Sequence, residues 1–139
     1  MIEHIWSVLC LKSIVDSDTN LISLFEIIEE LTIQSYTETG ITPVEFEITT
    51  CWFRENAGKE KEYEYKISLI TPLGKDKGGP DIQLQLKKGI QRIRSRTRFQ
   101  AFPVEELGIY WFKVSLKGAK GKYREVASIP ITIKEKKPT

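Results

Sequence analysis

From residue 44 onward the chain alternates apolar and polar side chains with a period of two. Val44, Phe46, Ile48, Thr50 and Trp52 fall on one side of an extended backbone, with Glu45, Glu47 and Thr49 on the other. This predicts a strand with one buried and one wet face. The pattern returns at Tyr63, Tyr65, Ile67 and Leu69, at Ile82, Leu84 and Leu86, and at Ile93, Ser95, Thr97, Phe99 and Ala101. It recurs at Tyr110, Phe112, Val114 and Leu116, and closes with Ala127, Ile129, Ile131 and Ile133. Phe46, Ile48, Ile67, Leu69, Leu84, Phe112, Val114, Ile129 and Ile131 are the positions this periodicity assigns to one core.

Turn chemistry separates these runs: Glu55 to Lys59, Gly74 to Pro80, Lys88-Gly89 and Lys117 to Gly121. Residues 2 to 12 form a further strand with apolar side chains on both sides, predicting a position inside a sheet. Leu21 to Gln34 reads two ways. Leu21, Leu24, Phe25 and Ile28 keep helical spacing behind Asn20 as an N-cap, while Phe25, Ile27, Leu31 and Ile33 alternate with an interruption at Glu29. The β-branched content and the strands around it favour strand. Short strands at close, regular spacing indicate an all-β sandwich or barrel, with no βαβ rhythm, and the expectation is an antiparallel β-sandwich of about seven to nine strands.

Composition narrows the class. The 139 residues are 40% hydrophobic, 29% charged and 10% aromatic, which predicts one domain over residues 1–135 with a short basic tail at 136–139. A chain this long buries about 68% of its unfolded surface, enough for a core without metal or disulfide staples. The balance of 21 Lys and Arg against 19 Asp and Glu leaves +2, so overall charge nominates neither nucleic acid nor an anionic membrane. The acid at Glu3 and the early Lys12 do not fit a secretory leader, and no run reaches the roughly 20 apolar residues of a membrane span. A soluble, cytoplasmic protein without membrane association is the expectation. Cys10 and Cys51 then read as two free, buried thiols.

Glu106-Leu107-Gly108-Ile109-Tyr110-Trp111-Phe112-Lys113-Val114 resembles the corner between the fifth and sixth strands of immunoglobulin-like sandwiches. The resemblance implies an immunoglobulin-like β-sandwich in which Tyr110 is a structural corner residue, its hydroxyl bonded back to backbone near residues 105 to 108. Phe112 stands where the antibody-type domains carry their second cysteine, so the inter-sheet disulfide of that branch is missing. The stretch Val8 to Leu11 with Asp16 to Leu31, and the late Gly-x-Tyr-x-Phe strand, are similar to a family of uncharacterised bacterial and archaeal proteins, a domain of unknown function. That resemblance implies no activity.

The sharpest candidate for chemistry is Arg92, Arg94, Arg96 and Arg98, four guanidinium groups on one strand face at a repeat of roughly 6.8 Å. Two uses compete. With Trp111 or Phe102 as a stacking platform the stripe would suit a single-stranded nucleic acid or another polyanion; facing Glu45, Glu47, Glu62 and Glu64 it would be a salt-bridged sheet surface. Arg94 and Arg96, at the centre, are the expected contact residues. Gly74 to Pro80 lacks the Gly-Lys-Ser/Thr ending of a phosphate loop and reads as a mobile hairpin loop. His4 stands alone, and Asp16, Asp18 and Asn20 lack the glycine and glutamate of a calcium loop, which leaves them as turn-formers. Trp6, Trp52 and Trp111 are expected in the core. No cofactor, no metal site and no enzyme are predicted. The functional expectation is a protein–protein interaction module with an unknown protein partner or self-association, and nucleic acid as the alternative.

Overall fold

The computed structural model describes residues 1–33 and 41–136, and the basic tail beyond Lys136 lies outside them. The described chain is all β, with strands β1 (Ile2–Val15), β2 (Ile22–Ile27), β3 (Glu30–Ile33), β4 (Ile41–Thr42), β5 (Phe46–Arg54) and β6 (Lys61–Ile70). After them come β7 (Asp81–Leu86), β8 (Arg92–Phe99), β9 (Phe102–Pro103), β10 (Gly108–Lys117) and β11 (Tyr123–Glu135). The six runs read from alternation after residue 43 are β5, β6, β7, β8, β10 and β11.

Two sheets are layered around one core. The first has the order β2-β1-β5-β8 and the second β3-β11-β10-β6-β7, while β4 and β9 form a short separate pair. As its flanks predicted, β1 is an internal strand. The ladders are antiparallel with one exception: β3 runs parallel to β11. The exception follows from the fate of the segment read as Leu21 to Gln34, whose described part, up to Ile33, is strand rather than helix from Ile22 on but breaks at Ile28 and Glu29. The chain leaves the first sheet at β2 and enters the second at β3 without turning back, so β3 lies along the last strand in the same direction.

Aromatic side chains join the layers. The rings of Trp52 and Tyr65 are 5.0 Å apart, those of Phe46 and Phe112 5.7 Å, and those of Phe99 and Phe112 6.0 Å, inside the range in which aromatic pairs attract beyond their burial. Of the positions that periodicity assigns to the core, all are buried except Ile129, which is half-buried at its margin. The tryptophans divide: Trp52 is buried, Trp6 is half-buried beside Cys51, and Trp111 is exposed on the outside of the second sheet.

Two polar features hold the ends of the layers. Arg54 terminates β5 at 2% exposure and has no carboxylate partner among the described residues. Its guanidinium donates to the carbonyls of Ile90, Lys59 and Lys87, each at 2.8 Å, and to that of Leu86 at 3.4 Å. One cation thus fastens two of the connections that cross between the sheets, the β5–β6 and β7–β8 loops. At the other end Tyr110, fully buried, donates its hydroxyl to the Glu106 carbonyl at 2.7 Å and accepts the N–H groups of Glu105 and Glu106 at 3.1 Å. Burial pushes its phenol above the usual tyrosine range.

The Gly74 to Pro80 segment is bonded along β6 rather than looping free. Lys77 N–H donates to Leu69, Leu69 N–H to Gly78 and Ile67 N–H to Pro80. Gly79 lies so close to β6 that a Cβ would stand 1.7 Å from the Ile67 carbonyl oxygen, which only glycine avoids.

Candidate interaction surface

The arginines lie on β8, an edge strand of the first sheet. Their inward neighbours fix the strand: Tyr65, on the opposite sheet, donates its hydroxyl to Ser95 Oγ at 2.7 Å, and Phe99 stacks on Phe46 at 4.9 Å. With Ile93, Ser95, Thr97 and Phe99 turned inward, the four guanidinium groups turn outward together. The register sets Arg92 across from Phe53, Arg94 from Cys51, Arg96 from Thr49 and Arg98 from Glu47.

The outer face of β5 is not wet as its alternation implied. Glu47 is 1% exposed, and Thr49 and Cys51 are buried, because the far end of the β1–β2 hairpin leans over them toward β8. Arg94 Nη2 donates to the Asn20 carbonyl at 2.8 Å and to its side-chain oxygen at 2.9 Å, and Arg96 Nη1 lies 3.5 Å from Ser13 O and Oγ. Under this cover Glu47 Oε2 accepts the hydroxyls of Ser13 and Thr49. Its Oε1 faces Arg98 Nε at 3.6 Å, while the Arg98 side chain is 74% exposed. The turn that brings the hairpin over is built as the aspartates foretold: Asp16 Oδ1 accepts the N–H groups of Asp18 and Thr19, and Asn20 takes φ of 58°.

The expected salt-bridged face is therefore only one pair. Among the described residues Arg98 alone of the four has a carboxylate in reach. Glu62 and Glu64 belong to β6 in the other sheet, where Glu64 accepts from Tyr123 and pairs with Lys117, and Glu45 is exposed just ahead of β5. Arg92 instead lies 5.4 Å over the Phe53 ring. The proposed stacking partners are also elsewhere, Phe102 in the core and Trp111 on the opposite sheet; by register Trp6 lies across from Cys51 and Phe53 across from Arg92 on this face.

Sequence reasoning missed the buried Glu47 and Arg54, since both occupy positions that alternate like any surface charge or strand end. No local signal distinguishes them. His4 is half-buried, its Nε2 2.6 Å from Ser7 Oγ and its ring edge-on to Trp52 at 5.2 Å; burial lowers its pKa. Cys10 and Cys51 are both free and buried. Burial, with the Glu47 charge added, raises the Cys10 thiol; burial raises Cys51, opposed in part by Arg92 and Arg94. A cleft of about 810 Å³, lined by residues including Tyr63, Leu116, Lys117 and Arg124, shares no residue with the stripe. At its side the Tyr123 hydroxyl is pushed up to about 12, first by its hydrogen bond to Glu64, so it remains a donor at neutral pH. Among the described residues no helix is long and apolar enough to cross a membrane.

Comparison with known proteins finds no family model and no curated protein that matches the chain.

Proposed function

We propose that this chain is a non-enzymatic, immunoglobulin-like β-sandwich that binds another protein through the arginine-bearing edge of its first sheet. The observation that carries the reading is the uncompensated charge: Arg92, Arg94 and Arg96 face outward on one strand with no carboxylate partner among the described residues. Isolated guanidinium groups held in a row are suited to a partner that brings its own acids, and arginine is enriched where interfaces concentrate their binding energy. The immunoglobulin-like assignment is supported by the two-layer arrangement and by the three hydrogen bonds at the Tyr110 hydroxyl. Two free buried thiols support a reducing, cytoplasmic setting. The likeness to uncharacterised bacterial and archaeal proteins would extend the same role to that family.

The test is capture from a nuclease-treated lysate on the immobilised wild type, on the Arg94→Ala, Arg96→Ala double variant and on a Lys134→Ala control from the opposite sheet. The reading expects bound proteins that survive nuclease, persist on the control and vanish on the double variant, while the melting temperature of the double variant stays near wild type. Equal capture by the double variant would overturn it. Capture that nuclease abolishes would assign the stripe to nucleic acid instead, with affinity falling steeply as salt rises.

A further inference from the structure

The direction of the β8 main chain adds a second component to the arginine stripe. The N–H of Arg54 donates to the carbonyl of Gln91 at 2.8 Å, in step with the register that pairs Phe53 with Arg92. In an antiparallel ladder, hydrogen-bonded and non-bonded pairs alternate residue by residue. The odd-numbered residues from Gln91 to Phe99 therefore turn their N–H and C=O groups toward β5. Arg92, Arg94, Arg96 and Arg98 turn theirs toward the open edge, where no described strand pairs with them. The same four residues thus offer main-chain donors and acceptors sideways and guanidinium groups on the outer face, over a strand of 8 residues.

Resting on the protein-binding reading above, we infer that β8 takes an extended acidic segment of a protein partner as an added antiparallel strand, with Asp or Glu at every second position across from Arg92, Arg94 and Arg96. An antiparallel partner residue directly opposite an arginine bonds it through both main-chain groups and presents its side chain on the same face. A carboxylate there meets the guanidinium at close range, and the hydrogen bond is charge-assisted. Arg94 is held in place by the neutral Asn20, which orients the guanidinium without neutralising it. A nucleic acid strand would satisfy the charges but leave the free main-chain groups unpaired, which is why the occupant is a peptide.

Fluorescence polarisation of a labelled peptide of alternating valine and glutamate, eight residues long, decides the matter. It should bind at least about tenfold more tightly than a peptide of the same composition with valines and glutamates in separate blocks. N-methylation of the glutamates, whose amides would face β8, should abolish binding, whereas N-methylation of the valines should leave it intact. The Arg94→Ala, Arg96→Ala variant should lose binding while melting like wild type. Equal binding of the alternating and block peptides, or equal effects of the two methylations, would overturn strand addition and leave the arginine face as an interaction surface reached some other way. Failure of every peptide would also overturn it, and the lysate capture would then judge the protein-binding reading separately. Tighter binding of oligothymidylate, competing with the peptide, would overturn both.

Discussion

Replacing Arg54 by Met should be the most damaging single change outside the aromatic core, although it removes an ionic side chain and adds an apolar one. Met fills a similar volume and offers no donor. Three bonds at 2.8 Å disappear, to Ile90, Lys59 and Lys87, and each has a charged donor. At the lower bound of about 1.5 kcal/mol for such bonds their sum is about 4.5 kcal/mol. Relief of the buried charge and rehydration of carbonyls in surface loops return part of this, leaving about 3 kcal/mol. With an unfolding entropy of about 2.1 cal/mol/K per residue over 139 residues, that corresponds to a fall of about 10 °C in melting temperature. Thermal unfolding followed by the fluorescence of buried Trp52 reads it directly. Arg54→Lys separates charge from geometry, because one ammonium reaches fewer of the carbonyls than a planar fork spanning two loops; it should recover less than half of the loss. A Met variant melting within about 2 °C of wild type, or full rescue by Lys, would refute the argument that one guanidinium ties the crossing loops together.

Tyr110→Phe should cost about 1 to 2 kcal/mol in urea unfolding, because it strands the Glu106 carbonyl and two N–H groups; an unchanged midpoint would mean that water takes over all three. His4 has a folded pKa below its ordinary value of 6.5 because burial disfavours the imidazolium. The unfolded state therefore binds the proton more readily, and stability is complete above that value and declines as pH falls through it. The His4→Gln variant should show a flatter stability profile between about pH 7 and 5, measured by urea midpoints. Thiol titration should find both Cys10 and Cys51 slow to react in the folded protein and both available after unfolding without reductant, since each is buried with a raised pKa.

What was legible in the sequence is what a period of two can encode. The strands β5, β6, β7, β8, β10 and β11 and the core set including Phe46, Ile67, Leu84 and Val114 follow from which side of an extended chain each residue occupies. The hydrophobic pattern of Leu21 to Gln34 could not say that the chain changes sheets at Ile28 and Glu29, because each half alternates correctly within its own sheet. Burial of Glu47 was hidden for a related reason. Its position is outward with respect to its own sheet, and only the lean of the distant β1–β2 hairpin covers it. The arginine stripe was visible as a stripe. Its partners were not, since whether Glu47 or Glu64 faces Arg98 depends on which sheet each strand joins. The Tyr110 corner was readable from a short local run because its bonds span only four and five residues.

The position of the arginines on an edge strand also decides what this protein does to copies of itself. Two β8 edges brought together about a two-fold axis through Ser95 would place Arg94 against Arg96 and Arg92 against Arg98, all on one face. Like charges directly opposite one another destabilise a pair of strands, and charge on an edge is a recognised defence against sheet-to-sheet aggregation. Pairing of the β8 edge with another β8 is therefore opposed by charge, whereas a strand of opposite sign meets no such repulsion. Neutralising Arg94 and Arg96 removes that barrier, so a variant made to abolish a foreign partner also takes away the repulsion that keeps this edge from pairing with its own kind.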